Sequence, residues 1–323
     1  MSDALAVFPF FVGCGRSGTT LLRAIFDSHP DLAVPDEVSF VIRLARPHDA
    51  VRYGWPLRYD AARGAALITA NASWQRWGLP VGSSRAALAD PPPASFPDAV
   101  RRAYGQWAAQ AGKPRYADKT PMHVSHLARL ARMFPEARFV HLVRDGRDVA
   151  LSYRSVDWGP ATVTDAALLW RRRVAAGRRA GRRLGPGRYR AVRYEDLVAE
   201  PERVVRELCA FVDLAWDDAL LRYPARAGEV IAATRFPAAH GRLRLPPTSG
   251  LRDWRRDMDP ADVAAFEAVA GRELVAHGYA PAGPAPSAAT RAGAEVRRVA
   301  EAAGRAWTAT RAGARVLARR AAA

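Results

Sequence analysis

Cysteine is almost missing from this chain: Cys14 and Cys209 are the only two among 323 residues. Two thiols build no disulfide framework, so an apolar core has to hold the fold, and a reducing compartment, the cytoplasm, is expected. Cys14 lies in a glycine loop, but no residue in the sequence pairs with it for redox work. Lysine is equally scarce. Lys113 and Lys119 stand alone, and arginine carries almost all of the formal net charge of +17. Long apolar runs are missing too, since none reaches the roughly 18 residues that a membrane span needs. No basic n-region with a cleavage site precedes the first apolar segment, so no signal peptide is expected. The arginines are scattered rather than interleaved with aromatics in one stripe, which argues against nucleic acid as a partner. Their number leaves attraction to a polyanionic ligand or acidic surface, beside a plain compositional bias toward arginine.

What is present is a chain with 49% hydrophobic residues, enough for a sizeable core. Short β-branched runs alternate with amphipathic segments, which predicts an α/β fold with a mainly parallel sheet covered on both faces. Strands are expected at 5–12, 115–117, 138–143 and 188–192. Helices are expected at 19–28, 121–134, 145–155, 166–184, 201–212 and 260–277, the last capped by Asp259 with Pro260 in its first turn and Gly278 at its end. Residues 46–112, rich in Pro, Gly, Ala and aromatics such as Tyr53, Trp55, Tyr59, Trp74, Trp77 and Trp107, read as an insert. Such an insert serves as a lid or acceptor pocket, although most of these aromatics suit core packing. Residues 1–280 therefore form the main domain. Residues 281–323 comprise a Pro/Ala linker and an Arg/Ala-rich tail whose apolar residues recur at helical spacing, suited to an anionic membrane surface, an acidic partner or a frayed end.

One further lysine is missing where a pattern requires it. Gly13-Cys-Gly-Arg-Ser-Gly-Thr-Thr20 follows the first strand and opens the first helix. It matches the spacing G-x-x-x-x-G-K-[ST] through Gly13 and Gly18, with Thr19 where the lysine belongs. The backbone N–H groups of Gly15, Arg16, Ser17, Gly18, Thr19 and Thr20 suit an anion at a helix N-terminus, and Arg16 is the replacement cation. This points to a P-loop-type fold of three layers that holds an anionic group for chemistry other than ATP or GTP hydrolysis. A nucleotide kinase would need the missing lysine and a magnesium-binding acid. The loop also satisfies G-x-G-x-x-G through Gly13, Gly15 and Gly18, with Glu37 in the place of a ribose-binding acid. A Rossmann-type dinucleotide-dependent oxidoreductase thus competes on this segment alone.

A second anion signal follows the 138–143 strand. Arg144 stands at its C-terminal tip, Asp145 caps the next helix, and Ser152 lies two turns further on. An arginine fork with a hydroxyl suits a second phosphate.

Together these segments resemble the sulfotransferases that use 3′-phosphoadenosine 5′-phosphosulfate (PAPS). Gly15-Arg-Ser-Gly-Thr-Thr-Leu-Leu22 is similar to that family's 5′-phosphosulfate loop and Arg144-Asp-Gly-Arg-Asp-Val-Ala-Leu-Ser152 to its 3′-phosphate motif; Arg193-Tyr-Glu-Asp and Ser249-Gly-Leu-Arg-Asp-Trp254 also look familial. The resemblance covers roughly residues 5–280. From Phe11 to Arg43 it is strongest to the tyrosylprotein sulfotransferases, and it implies Glu37, 21 positions after Arg16, as catalytic base and Lys119, in Asp118-Lys-Thr-Pro121, as catalytic lysine. Those enzymes are membrane-anchored and disulfide-bonded, whereas neither an anchor nor disulfides are expected here, so acceptor identity does not carry over.

The resemblance implies PAPS as co-substrate and no metal, because a sulfuryl group carries less negative charge than a phosphoryl group. Arg16, the loop hydroxyls, Lys119 and Glu37 would serve the reacting end; Arg144, Ser152, Tyr194 and Arg252 would serve the nucleotide. His123, four residues after Lys119 and on the same face if that segment is helical, is the alternative base. The acceptor is any hydroxyl of a carbohydrate, tyrosyl group, phenol or lipid headgroup, and a non-catalytic PAPS-binding role stays open.

Overall fold

The computed structural model describes residues 5–45, 59–232, 237–245 and 253–283, together with Thr234 and parts of 287–303. The chain divides into two compact units, Met1–Arg144 with Arg173–Leu251, and Asp145–Arg172 with Arg252–Ala323. The first unit opens with β1 (Phe8–Gly13), α1 (Thr19–Asp27), β2 (Leu32–Ala33) and α2 (Phe40–Leu44). Among the described residues of the insert four helices follow: α3 (Ala61–Thr69), α4 (Ala72–Trp77), α5 (Val81–Ala89) and α6 (Phe96–Gln110). Then come β3 (Arg115–Tyr116), β4 (Asp118–Lys119), a 3₁₀ segment (Pro121–His126), α7 (Leu127–Met133) and β5 (Ala137–Val143). The chain continues as α8 (Gly146–Tyr153) and the long α9 (Val163–Leu184), then β6 (Tyr189–Arg193), α10 (Tyr194–Ala199), α11 (Pro201–Phe211) and α12 (Ala227–Ala232).

The main sheet has the order β4-β1-β5-β6, and every pairing is parallel. β1 lies between two strands, and its apolar sequence FPFFVG is buried throughout, as a two-sided central strand demands. Alternation sends Phe8, Phe10 and Val12 into a core shared with Trp74, Trp77 and Tyr104 of the insert. Phe11 instead joins Leu22, Ile25, Phe26, Leu142, Val205 and Leu208 in a second core. Helices thus cover both faces of the sheet, as the alternating sequence pattern implied. Insert helices begin at Asp60, Asn71 and Ser95, each of which accepts a backbone N–H of the first turn. Trp74 and Trp77 are core residues, in line with their packing role; Tyr53 and Trp55 lie outside the described residues.

Two sequence expectations need correction. The strand expected at 115–117 is two short strands: Arg115–Tyr116 pairs with Leu32–Ala33 in a separate two-stranded sheet, while Asp118 and Lys119 pair with Phe10 and Phe11. Two-residue strands carry no readable periodicity. The helix expected at 121–134 starts as a 3₁₀ turn and becomes α-helical only after His126, whose backbone leaves the helical region at φ −128°.

The second unit holds α8, the first part of α9, α13 (Trp254–Asp257) and α14 (Pro260–Ala276). Asp145 caps α8 by accepting the Arg147 N–H, and Asp259 caps α14 by accepting that of Ala261. Arg147 is fully buried among Asp145, Glu267 and the face of Trp254. Parts of the basic tail within 287–303 are helical and exposed, including Val296 and Val299. Among the described residues, no helix is long and apolar enough to cross a membrane.

Candidate active site

The carboxyl ends of all four main-sheet strands carry sequence candidates of the first unit: the glycine loop after β1, Lys119 at the end of β4, Arg144 after β5 and Tyr194 after β6. Open parallel sheets bind ligands at this edge.

The loop is shaped by backbone geometry. Gly13 closes on β5 so tightly that a Cβ there would lie 2.6 Å from the Leu142 carbonyl oxygen. Arg16 and Gly18 both take left-handed conformations, at φ 69° and 94°. Glycine adopts that region freely, whereas arginine does so at a cost of order 1 kcal/mol or more. An alternating backbone of this kind turns successive N–H groups to one side, forming an anion nest. Gly18 is the N-cap of α1, no side chain caps the helix, and no acidic residue occupies its first turn. The N-terminal dipole is therefore not neutralised by a carboxylate of the first turn. Ser17 Oγ is buried without a hydrogen-bond partner, and the Thr19 and Thr20 side chains are buried beside it in sequence. These features fit an oxyanion.

Tyr194 ties the loop to the second cation. A Cβ on Gly18 would lie 2.4 Å from Tyr194 Cδ2, and the Arg144 Cζ sits 4.5 Å from the centroid of the same ring. Glycine at 18 is thus required both by its φ and by the tyrosine against it.

Lys119 and Glu37 meet directly. Lys119 Nζ donates to Glu37 Oε1 at 2.8 Å, with the lysine side chain 1% exposed and the glutamate 45% exposed. The pair thus has a buried cation at its root and a carboxylate open to solvent. The backbone of the Glu37 loop is held from three elements. Arg76 of α4 donates through Nη2 to the Glu37 carbonyl at 2.9 Å and through Nε to Asp36 at 3.3 Å, while Trp77 Nε1 donates to the Asp36 carbonyl at 3.0 Å. From α1, Arg23 Nη1 lies 3.7 Å from Asp36. From the β4 side, Thr120 Oγ1 accepts the Val38 N–H at 3.1 Å. Sequence reading gave no role to Asp36, Arg76 or Thr120: Thr120 lies within Asp118-Lys-Thr-Pro121, but its Val38 partner and the Arg76 partners lie tens of residues away.

His123 does not share a helical face with Lys119, since Lys119 belongs to β4. Its ring is buried, Nδ1 donates to Asp118 Oδ1 at 2.9 Å, and Nε2 is enclosed without a partner. Asp118 also accepts from Tyr104 at 2.6 Å and Thr120 at 2.9 Å. Burial, with the Asp118 charge second, raises the Tyr104 hydroxyl well above its ordinary pKa and keeps it a donor. His141 is likewise buried, its Nδ1 2.6 Å from the Tyr189 hydroxyl. Cys14 is buried in the loop, and burial pushes the Cys209 thiol up to about 11, away from redox reactivity. Ser152 is buried on α8 in the second unit. Arg252 lies outside the described residues.

The model of the Sulfotransferase family matches residues 9–218, more than half of the chain. The chain belongs to the sulfotransferase family. Among relatives of this chain, the Protein-tyrosine sulfotransferase of Drosophila melanogaster is 28% identical over 222 residues, covering 66% of this chain and 39% of that one. Protein-tyrosine sulfotransferase 1 of Danio rerio is 26% identical over 290 residues, covering 84% and 72% respectively. The sulfotransferase domain of the Synechococcus PCC 7002 olefin synthase shares its fold at a TM-score of 0.50 and 23% identity, covering 80% of this chain and 91% of that one. The central parallel sheet flanked by helices is thus the P-loop-type sulfotransferase fold, with Thr19 where the G-x-x-x-x-G-K-[ST] pattern has lysine.

Proposed function

We propose that this chain moves a sulfuryl group from PAPS to a hydroxyl acceptor, with Glu37 as general base. The observation that carries the proposal is the Lys119–Glu37 contact at the strand edge that also bears the uncapped glycine loop. Bound PAPS would supply a loosely bonded SO₃-like unit, transferred in line between two oxygens. Residues 15 to 20 would hold its 5′ end through N–H groups, hydroxyls and the Arg16 guanidinium. Arg144 and Tyr194 would hold the 3′-phosphate and nucleoside end, with Ser152 and Arg252 as further proposed contacts. An acceptor hydroxyl needs a base within hydrogen-bond reach, and the solvent-open carboxylate of Glu37 can take its proton. Lys119 would face the leaving oxygen as it gains charge. Relatives named for protein tyrosine support a tyrosyl hydroxyl as the acceptor to try first; carbohydrate, phenol and lipid headgroup hydroxyls follow.

Thermal-shift titration checks the nucleotide. Stabilisation by 3′,5′-adenosine bisphosphate without magnesium is expected, with little from 5′-AMP, ATP, GTP or NAD. Arg144→Ala should erase most of the preference for bisphosphate over AMP. A wild-type protein that binds AMP and bisphosphate alike would refute the second phosphate site. For the Arg/Ala-rich residues 287–323 we propose contact with an anionic membrane surface from the cytoplasm. Sedimentation with phosphatidylserine vesicles, reversed by salt and lost on truncation at 286, is the expected outcome; equal pelleting of the truncated chain contradicts it.

A further inference from the structure

Glu37 and Lys119 are 82 positions apart and reach each other from different elements, one a loop and one the end of a two-residue strand. A contact of this kind needs something that fixes one backbone against the other. Thr120, the residue after Lys119, makes such a link. Its hydroxyl is buried, donates its only proton to Asp118 Oδ2 at 2.9 Å, and so turns its lone pairs toward the Val38 N–H, which it accepts at 3.1 Å. Val38 follows Glu37 directly, as Thr120 follows Lys119. One hydroxyl thus bridges the backbone beside the candidate base to the strand that carries the candidate cation. Asp118 is itself fixed by Tyr104 from α6 and by His123 Nδ1, so the bridge has a rigid root.

We propose that Thr120 is a positioning residue that holds Glu37 in register with Lys119, through the relay Val38 N–H to Thr120 to Asp118. This rests on the reading of Glu37 as base. His123 then anchors Asp118 instead of acting on the acceptor. Valine at 120 keeps the shape and removes both hydrogen bonds, whereas serine keeps them.

Two lysines make the test direct. With lysine labelled by ¹³C at Cε, the protein gives two side-chain signals, assigned by Lys113→Arg, and Lys113 is an internal control. Glu37→Gln should move the Lys119 signal. Thr120→Val should move it in the same direction, Thr120→Ser should return it to near the wild-type position, and Lys113 should stay in place throughout. In turnover from radiolabelled PAPS, Thr120→Val should lower kcat on the order of 10-fold or more with bisphosphate affinity unchanged, since small misplacement of a base is costly. Thr120→Ser should recover most of that loss. A Lys119 signal that ignores Thr120→Val, or a serine variant as poor as valine, overturns the positioning role alone. A Lys119 signal that ignores Glu37→Gln, or full turnover by Glu37→Gln, overturns the reading of Glu37 itself and the positioning role with it.

Discussion

At the scale of single residues, the Lys119–Glu37 pair behaves differently from the surface pairs of this arginine-rich chain. Arg203 meets Glu200 and Glu207 in the open, where such contacts contribute little. Lys119 is enclosed, so its ammonium depends on Glu37 for its charge partner in a way an exposed arginine does not. Motif spacing and family resemblance made both residues legible in the sequence. Arg76, Asp36 and Thr120 were not, because each acts by touching the backbone or carboxylate of a distant residue. Gly18 shows the other kind of legibility. Its place in the loop pattern foretold the glycine, but only the Tyr194 ring against it explains why even a methyl group is excluded. Gly18→Ala is expected to weaken binding of 3′,5′-adenosine bisphosphate by about 10-fold or more, since it strains φ and pushes Tyr194 from its place beside Arg144. Isothermal titration reads this directly, and unchanged affinity would show that the ring moves aside at no cost.

At the scale of elements, strand and helix periodicity located β1, β5, β6, α1, α8, α9, α11 and α14 within a few residues. The shortest elements escaped it. β2 and β4 have two residues each and take their places only through partners, yet β4 is the strand that delivers Lys119. The insert read as proline- and aromatic-rich, and its described part is four helices, three of them capped by Asp60, Asn71 and Ser95. A charged residue on a helix usually faces solvent, yet Arg147 is fully buried. Its guanidinium reaches Asp145 at 2.7 Å, Glu267 at 2.6 Å and the Ala280 carbonyl at 3.0 Å, and its Cζ lies 3.6 Å from the Trp254 ring centroid. It joins α8, α13 and α14 within the second unit. Arg147→Ala would leave two carboxylates without their cation, and a loss of about 3–5 kcal/mol is expected. Differential scanning calorimetry would show this as a clear fall in melting temperature. Arg147→Lys should rescue only part of the loss, because an ammonium cannot reproduce the fork. A melt unchanged in Arg147→Ala would contradict the role.

At the scale of the whole molecule, the features outlined by composition agree with the family. The excess of 49 basic over 32 acidic residues suits a polyanionic co-substrate. The parallel sheet gathers the glycine loop, a buried lysine and an arginine at one edge from segments about 130 residues apart in sequence. The central claim is that Glu37 takes the acceptor proton during sulfuryl transfer from PAPS. It is tested most directly by following radiolabelled sulfate from PAPS to a tyrosyl peptide, a phenol and a carbohydrate acceptor with wild-type and Glu37→Gln protein. Wild type should label an acceptor, and Glu37→Gln should lose about 10²-fold or more in turnover at unchanged bisphosphate affinity. Equal turnover by the two proteins, or nucleotide binding by wild type with no labelled product, would contradict it.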